Sequence, residues 1–248
     1  MLKEERHSII LESVNERNYV SLHDLMELTS SSESTIRADL VELAKIGKII
    51  RLRGGAQAID RDVVSYELSN ETKMSIEVDS KKSIAEYAAR FVKDNTMIYV
   101  DAGTTTIHLI DYITAKSVAI VTNSLSIAKK AKINGFKVYV VGGDIKLTTD
   151  AFIGSLAQDI ILRFTFDVGF FGANGIDFVQ GITTPEVEEA IIKQTAMSKC
   201  KKIYVLADHT KIGVKTAVTF HPFIGSEIIT DKILNSNYQY KGILEVQK

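Results

Sequence analysis

From residue 80 onward the chain alternates short apolar runs with amphipathic stretches, and this rhythm limits its fold more than any other feature. Strands are expected at 96–100, 118–122, 137–141, 167–171, 202–207, 227–230 and 243–246. The segments 80–92, 105–113, 126–133, 155–163 and 185–198 carry apolar residues at helical spacing. Three of the runs stop at Asp101, at Asn123 and at Gly142-Gly143. Parallel strands need a crossover long enough to hold a helix, so this alternation predicts a mostly parallel sheet covered on both faces. The expected class is α/β with a Rossmann-like sheet. Just two prolines occur, Pro185 and Pro222, so boundaries rest on glycine and on changes of pattern.

The first 57 residues follow another rhythm. Arg6, Ile9, Ile10 and Val14 fall at helical spacing within 2–17. Ser21 is placed to cap a second helix running through Leu28, with Asp24 in its first turn, where the helix dipole favours an anion. Thr29-Ser30-Ser31-Ser32 reads as a turn, and 33–45 as a third helix with Ile36, Leu40, Leu43 and Ala44 inward and Gly47 at its end. Residues 48–52 are strand-like, and Arg53-Gly54-Gly55-Ala56 is a tight turn. Three short helices and a hairpin make a winged helix-turn-helix. The expected organisation is a DNA-binding domain at 1–57, a linker with some helix at 58–77, and an effector-sensing and oligomerisation domain at 78–248.

A chain of 248 residues, 45% hydrophobic and 25% charged, can build such cores without disulfide or structural metal. Cys200 is the sole cysteine and suits a reducing compartment. The start is too charged for a signal peptide and no apolar run reaches membrane-span length, so a cytoplasmic protein is expected, with no membrane partner. A net charge of −1 excludes a chain basic throughout. The positive charge is local: between 34 and 57, Arg37, Lys45, Lys48, Arg51 and Arg53 stand against Asp39 and Glu42.

In a helix-turn-helix the second helix enters the major groove, its N-terminal residues toward the base edges. That assigns Ser32, Ser34, Thr35 and Arg37 to the DNA-facing surface, and Lys48, Arg51 and Arg53 to backbone or minor-groove contacts. An arginine pairs bidentately with guanine, for about 1–3 kcal/mol of discrimination, and small hydroxyls reach base edges or phosphates. A solvated helix with a basic turn would show the same pattern.

In open α/β sheets the loops after the strands' carboxyl ends form the binding crevice. Asp101-Ala102-Gly103-Thr104-Thr105-Thr106 joins a strand to a helix there. Gly103 lets the backbone approach an anion, and the hydroxyls of Thr104, Thr105 and Thr106 with nearby amides can cradle a phosphate. Neither a Walker lysine nor GxGxxG is present, so a nucleotide is not expected. Asn123, Gly142-Gly143, Asn174 and Asp208-His209-Thr210-Lys211 follow other strands and offer groups for sugar hydroxyls. Lys211 and Lys193 would supply two amines for a phosphate if they converge. Taken singly, a Gly-Gly after a strand is more often a turn than a ligand contact.

As an ordered set the motifs are specific. Ser34-Thr35-Ile36-Arg37-Ala38-Asp39-Leu40, then Leu43, Gly47 and Arg51-Leu52-Arg53-Gly54-Gly55-Ala56, resemble the DeoR family of regulators. So do DAGTTT, VTNSL, VGGD, FDVGFFGANGID, GITTP, LADHTKIG and IITD further on. Ala38 stands where that family usually has a second arginine, which leaves Arg37 with more of the expected readout. The resemblance implies a sensor domain similar in fold to ribose-5-phosphate isomerase and a phosphorylated sugar as effector. It implies a phosphate at the Thr104–Thr106 loop and a cleft lined by Asp101, Asn123, Gly142, Gly143, Asn174, Lys193, Asp208 and Lys211. The expected protein is a homo-oligomeric repressor (dimer or tetramer) of a sugar-metabolism operon, bound to double-stranded operator DNA, with no cofactor and no metal. The alternative is a sugar-phosphate isomerase-like enzyme carrying a DNA-binding domain, with Asp101 or Asp208 as base and Lys211 beside it. The five histidines, His7, His23, His108, His209 and His221, are scattered without metal spacing.

Overall fold

The computed structural model describes residues 2–17, 19–52, 54–57, 69–233 and 242–246. The chain divides into two compact units, 1–64 and 65–248. The first contains α1 (Lys3–Arg17), β1 (Tyr19–Ser21), α2 (Leu22–Thr29), α3 (Glu33–Lys45), β2 (Ile50–Leu52) and β3 (Gly55–Gln57). Ser21 Oγ accepts from Asp24 N at 3.1 Å and starts α2. At the end of α3, Gly47 takes φ +66°, a left-handed conformation that glycine adopts without strain, and Lys48 N returns to Leu43 O at 2.8 Å. Ile10, Val14, Leu25, Ile36, Leu40, Leu43 and Ile49 form the core. The wing differs from the expected hairpin: β1 adds a third strand, in the order β1-β3-β2, all antiparallel. A three-residue strand holds too little alternation to be read from sequence.

The second unit opens with α4 (Asn70–Met74) and α5 (Val78–Ala89). Of the residues expected as linker, 58–68 lie outside the described residues, while the later ones build α4. There follow β4 (Met97–Val100), α6 (Thr106–Tyr112), β5 (Ala119–Thr122), α7 (Leu125–Ile133), β6 (Lys137–Val140), the hairpin β7 (Asp144–Lys146) and β8 (Ala151–Ile153), and α8 (Ser155–Leu162). Next come β9 (Val168–Gly172), β10 (Gly175–Asp177), β11 (Gly181–Thr184), α9 (Val187–Met197), β12 (Ile203–Leu206), β13 (Val218–His221), β14 (Glu227–Thr230) and β15 (Ile243–Glu245).

Seven of these strands form a parallel sheet in the order β15-β14-β12-β9-β4-β5-β6. Side chains alternate across it. Ile98 and Val100 of β4 pack with Ile84 and Ala88 of α5, Leu109 of α6 and Ile127 of α7. Tyr99, between them, packs with Ala157 and Ile161 of α8 and Ile192 and Ala196 of α9 on the other face. That face also carries Ile176, Ile182 and Phe220, from the antiparallel sheet β10-β11-β13. Strand order runs one way from β4 to β6 and the other way from β9 to β15. The junction of β4 and β9 is therefore the topological switch point, where such sheets open a crevice beyond their carboxyl ends. No helix among the described residues is long and apolar enough to cross a membrane.

Candidate functional site

On α3, Ile36, Asp39, Leu40 and Leu43 face inward, which leaves Ser34, Arg37, Ala38 and Val41 as an exposed stripe at helical spacing. Ser32 caps the helix: its Oγ accepts from Thr35 N at 3.3 Å and lies 3.0 Å from Ser34 Oγ and 2.8 Å from Thr35 Oγ1. Arg37 folds back on Glu33, with Nε and Nη2 at 2.8 and 2.7 Å from Oε1. Such an exposed i,i+4 pair is worth about 0.3–0.5 kcal/mol, so it offers little resistance to a stronger acceptor. Arg51 is exposed on β2, where with Val41, Ala44 and Leu52 it lines a surface depression. Lys48 is half-buried, and Arg53 lies outside the described residues.

Beneath this stripe lies a residue that sequence reading missed. Asp39 is buried, and its Oδ1 takes Arg6 Nη2 and His7 Nε2, each at 3.1 Å. Burial alone would raise its carboxyl, but the bonds from Arg6 and His7 hold it below the ordinary carboxylate value. These bonds fasten α1 to α3. Its signal was a carboxylate at an inward helical position.

In the second unit the switch point is held by a buried ion pair. Asp101 Oδ2, just past β4, accepts from Gly172 N at 3.1 Å and from the Lys193 amine, which also donates to Gly172 O at 3.2 Å. Burial pushes the Asp101 carboxyl up, and the Lys193 charge opposes that shift. Asn123, after β5, accepts from Ala102 N at 2.9 Å and so fixes the start of the 101–106 loop. Thr104, Thr105 and Thr106 are buried there, and Thr106 Oγ1 donates to Asp101 O at 2.7 Å with Gly103 O at 3.0 Å.

One helical turn before Lys193, Glu189 gathers a second group. Its carboxylate accepts from Lys146 Nζ and Thr149 Oγ1, each at 2.8 Å. Thr184 Oγ1 lies 3.4 Å from Glu189 Oε2 and 3.2 Å from Asn174 Oδ1, which brings Asn174 into the same network. Burial works against the Glu189 charge, but Lys193, Lys146 and Thr149 together hold its carboxyl low. Lys146 also meets Glu186 at 2.8 Å. Gly142 and Gly143 turn the chain into the hairpin that carries Lys146. Gly143 has φ +126°, and a Cβ there would stand 2.5 Å from Ile153 O, so its backbone packing alone requires glycine.

Asp208, after β12, accepts from Thr210 N at 3.0 Å and caps the turn His209–Lys211, while Lys211 Nζ reaches Thr210 Oγ1 at 3.1 Å. Asp101, Asn123, Asn174 and Lys193 thus converge on the ends of β4, β5 and β9. Burial lowers the Lys73 amine on α4 to about 7, with Glu189 opposing the shift and Lys211 and Lys193 adding to it. Lys73, Lys81, Lys146 and Glu189 were not singled out from sequence. Two of them left a trace: Lys81 lies on the apolar stripe of α5 with Ile84, Ala85 and Ala88, and Glu189 shares the inner face of α9 with Lys193. Cys200 donates to Ala196 O at 3.2 Å, and burial pushes its thiol up to about 12, which makes it inert.

Comparison with known proteins agrees with this division. Residues 6–62 match the DeoR-like helix-turn-helix domain and residues 76–232 the DeoR C terminal sensor domain. The uncharacterized HTH-type transcriptional regulator FruR of Bacillus subtilis is 36% identical over 255 residues, spanning 100% of both chains. A lactose phosphotransferase system repressor of Staphylococcus aureus is 30% identical over 224 residues, 89% of this chain and 88% of that one. Among solved structures, ribose 5-phosphate isomerase from Plasmodium falciparum overlays 53% of this chain and 52% of its own, at TM-score 0.40 and 16% identity. With both family domains matched in order along one chain, the protein belongs to the DeoR family of transcription regulators.

Proposed function

We propose that the protein represses a sugar-metabolism operon and leaves its operator when a small phosphorylated sugar binds at the strand ends of the second unit. The observation that carries this reading is the buried Asp101–Lys193 pair at the switch point, in a chain whose other unit turns a reading helix to solvent. Residues 1–57 bind DNA: Ser32, Ser34, Thr35 and Arg37 face bases or nearby phosphates, and Lys48, Arg51 and Arg53 hold the backbone. Residues 78–248 sense the effector and associate into a homo-oligomer, with 58–77 joining the two functions. In the cleft, the Gly103–Thr106 loop takes the phosphate, with Lys193 and Lys211 as counter-charges. Asp101, Asn123, Asn174 and Asp208 meet sugar hydroxyls, and Gly142-Gly143 shapes the rim. The relatives named above are regulators and a repressor, which supports binding over turnover. So does the state of Asp101, whose Oδ2 already holds Gly172 N and Lys193 and is poorly placed to abstract a proton. A regulator of this kind acts in the cytoplasm, beside its DNA.

Operator binding followed by fluorescence anisotropy, with a panel of pentose, hexose and triose phosphates, tests the proposal. A coupling of about 1–3 kcal/mol lowers operator affinity about 5–150-fold for the right ester. Specific DNA binding that no ester alters would leave the DNA half standing and sink the effector half.

A further inference from the structure

The exposed stripe of α3 does not end with its polar residues. Ser34 and Arg37 occupy the first turns, but Ala38 and Val41 continue the same face, and Val41 is 47% exposed. A single exposed valine would mean little. Here the apolar surface is continuous: Val41, Ala44 one turn further on, and Leu52 of β2, 40% exposed, line one surface depression together with Arg51. Ala38, one turn before Val41, has a side chain too short to cover it. The nearby carboxylates are turned to other partners, for Asp39 is buried under Arg6 and His7, and Glu42 meets Lys3 of α1 at 2.7 Å. The helix face that carries Arg37 therefore also carries an apolar surface, with a guanidinium at its rim.

The major groove presents hydrogen-bonding edges on every base pair and a single kind of apolar group, the C5-methyl of thymine. An apolar surface set against polar base edges would strip water from them without replacing its hydrogen bonds. A thymine methyl is the one group there that it can bury at a gain. We propose that Val41, with Ala38 beside it and Ala44 and Leu52 behind it, reads the methyl group of a thymine in the operator. This rests on α3 as the DNA-reading helix and adds to it a second selected base and the group by which it is selected. Arg37 and Val41 are one helical turn apart, about 6 Å along the axis, and base pairs stack about 3.4 Å apart. The thymine therefore lies within about two base pairs of the guanine that Arg37 takes. Arg51, at the rim of the depression, meets the adjoining backbone.

The full-length protein, without effector, is used to select duplexes from a random-sequence library, and the affinity of the selected site is measured by anisotropy. Each thymine of that site is then replaced in turn by uracil, which keeps every hydrogen-bonding edge and lacks only the methyl group. At a thymine within two base pairs of a preferred guanine, the replacement should weaken binding about fourfold, the worth of one buried methyl group. Val41→Ala should weaken binding to the unmodified site by a similar factor and make it indifferent to uracil at that position, so the two losses should not add. Val41 is exposed and lies outside the core of its unit, so the variant should melt as the wild type does. Uracil that leaves wild-type affinity unchanged at every position overturns the methyl reading and leaves α3 as the DNA-reading helix. A uracil effect that persists undiminished in Val41→Ala gives the methyl to another residue and overturns the assignment too. If no sequence is enriched from the library, the reading helix falls with it.

Discussion

Arg37 is held in reserve by Glu33. The guanidinium that would pair with a base lies on a carboxylate one helical turn away, and that carboxylate would itself stand near phosphate oxygens. Both effects oppose DNA binding, and both disappear in Glu33→Gln. Losing an exposed pair worth about 0.3–0.5 kcal/mol and one repulsive charge should raise affinity about two- to threefold for operator and scrambled DNA alike. Arg37→Ala should act differently, costing about 1–3 kcal/mol at one base pair and relaxing preference there. Anisotropy titrations at two salt concentrations separate these outcomes. An Arg37→Ala protein that keeps its operator preference would remove Arg37 from the reading face. The neighbouring Ala38 is exposed and contributes no charge, so this contrast rests on a single arginine.

At the scale of elements, what could be read from sequence depended on length and on local partners. α3 was legible to the residue because a serine-rich turn at 29–32, an inward Ile36–Leu40–Leu43 spacing and a glycine at 47 all act within one segment. The inner parallel strands were legible because burial on both faces makes each a largely apolar run, whereas the edge strand β6 is mostly exposed. β1, the hairpin β7–β8 and the sheet β10-β11-β13 were not, since these short antiparallel strands carry no long apolar run and β1 and β13 find their register through partners distant in sequence. The candidate site divides in the same way. Asp101 stood out through its motif and Lys193 only as one of two candidate amines, and the two do meet, whereas Lys73 and Lys81 gain meaning only from what the fold packs beside them. The Gly142-Gly143 turn separates packing from ligand contact by substitution. A Cβ at Gly142 finds only Ile160 Cδ1 at 3.8 Å, an ordinary contact, so Gly142→Ala should leave the denaturation midpoint nearly unchanged. Gly143→Ala meets a carbonyl at 2.5 Å with φ +126° and should cost on the order of 1–3 kcal/mol. A stable Gly142→Ala protein that has lost its effector response would make that glycine a ligand contact rather than part of a turn.

For the whole molecule the controlling quantity is the number of reading helices that meet DNA together. One helix-turn-helix places one helix in one stretch of major groove, and its base contacts discriminate by only about 1–3 kcal/mol each. Selecting one operator from a genome needs about 4–10 kcal/mol over non-specific sites, which two symmetric half-sites supply more readily than one. The chain should therefore sediment as a multiple of 27.5 kDa, a dimer or a tetramer. Its operator should show two half-sites about one helical turn apart, or a multiple of that, and inserting about 5 bp between them should turn one half-site to the far side of the duplex. Binding to the lengthened site should then fall toward the affinity of an isolated half-site. A particle of 27.5 kDa alone, with and without DNA, together with indifference to the insertion, would mean that one α3 carries the whole recognition. The effector would then have no symmetric assembly to rearrange.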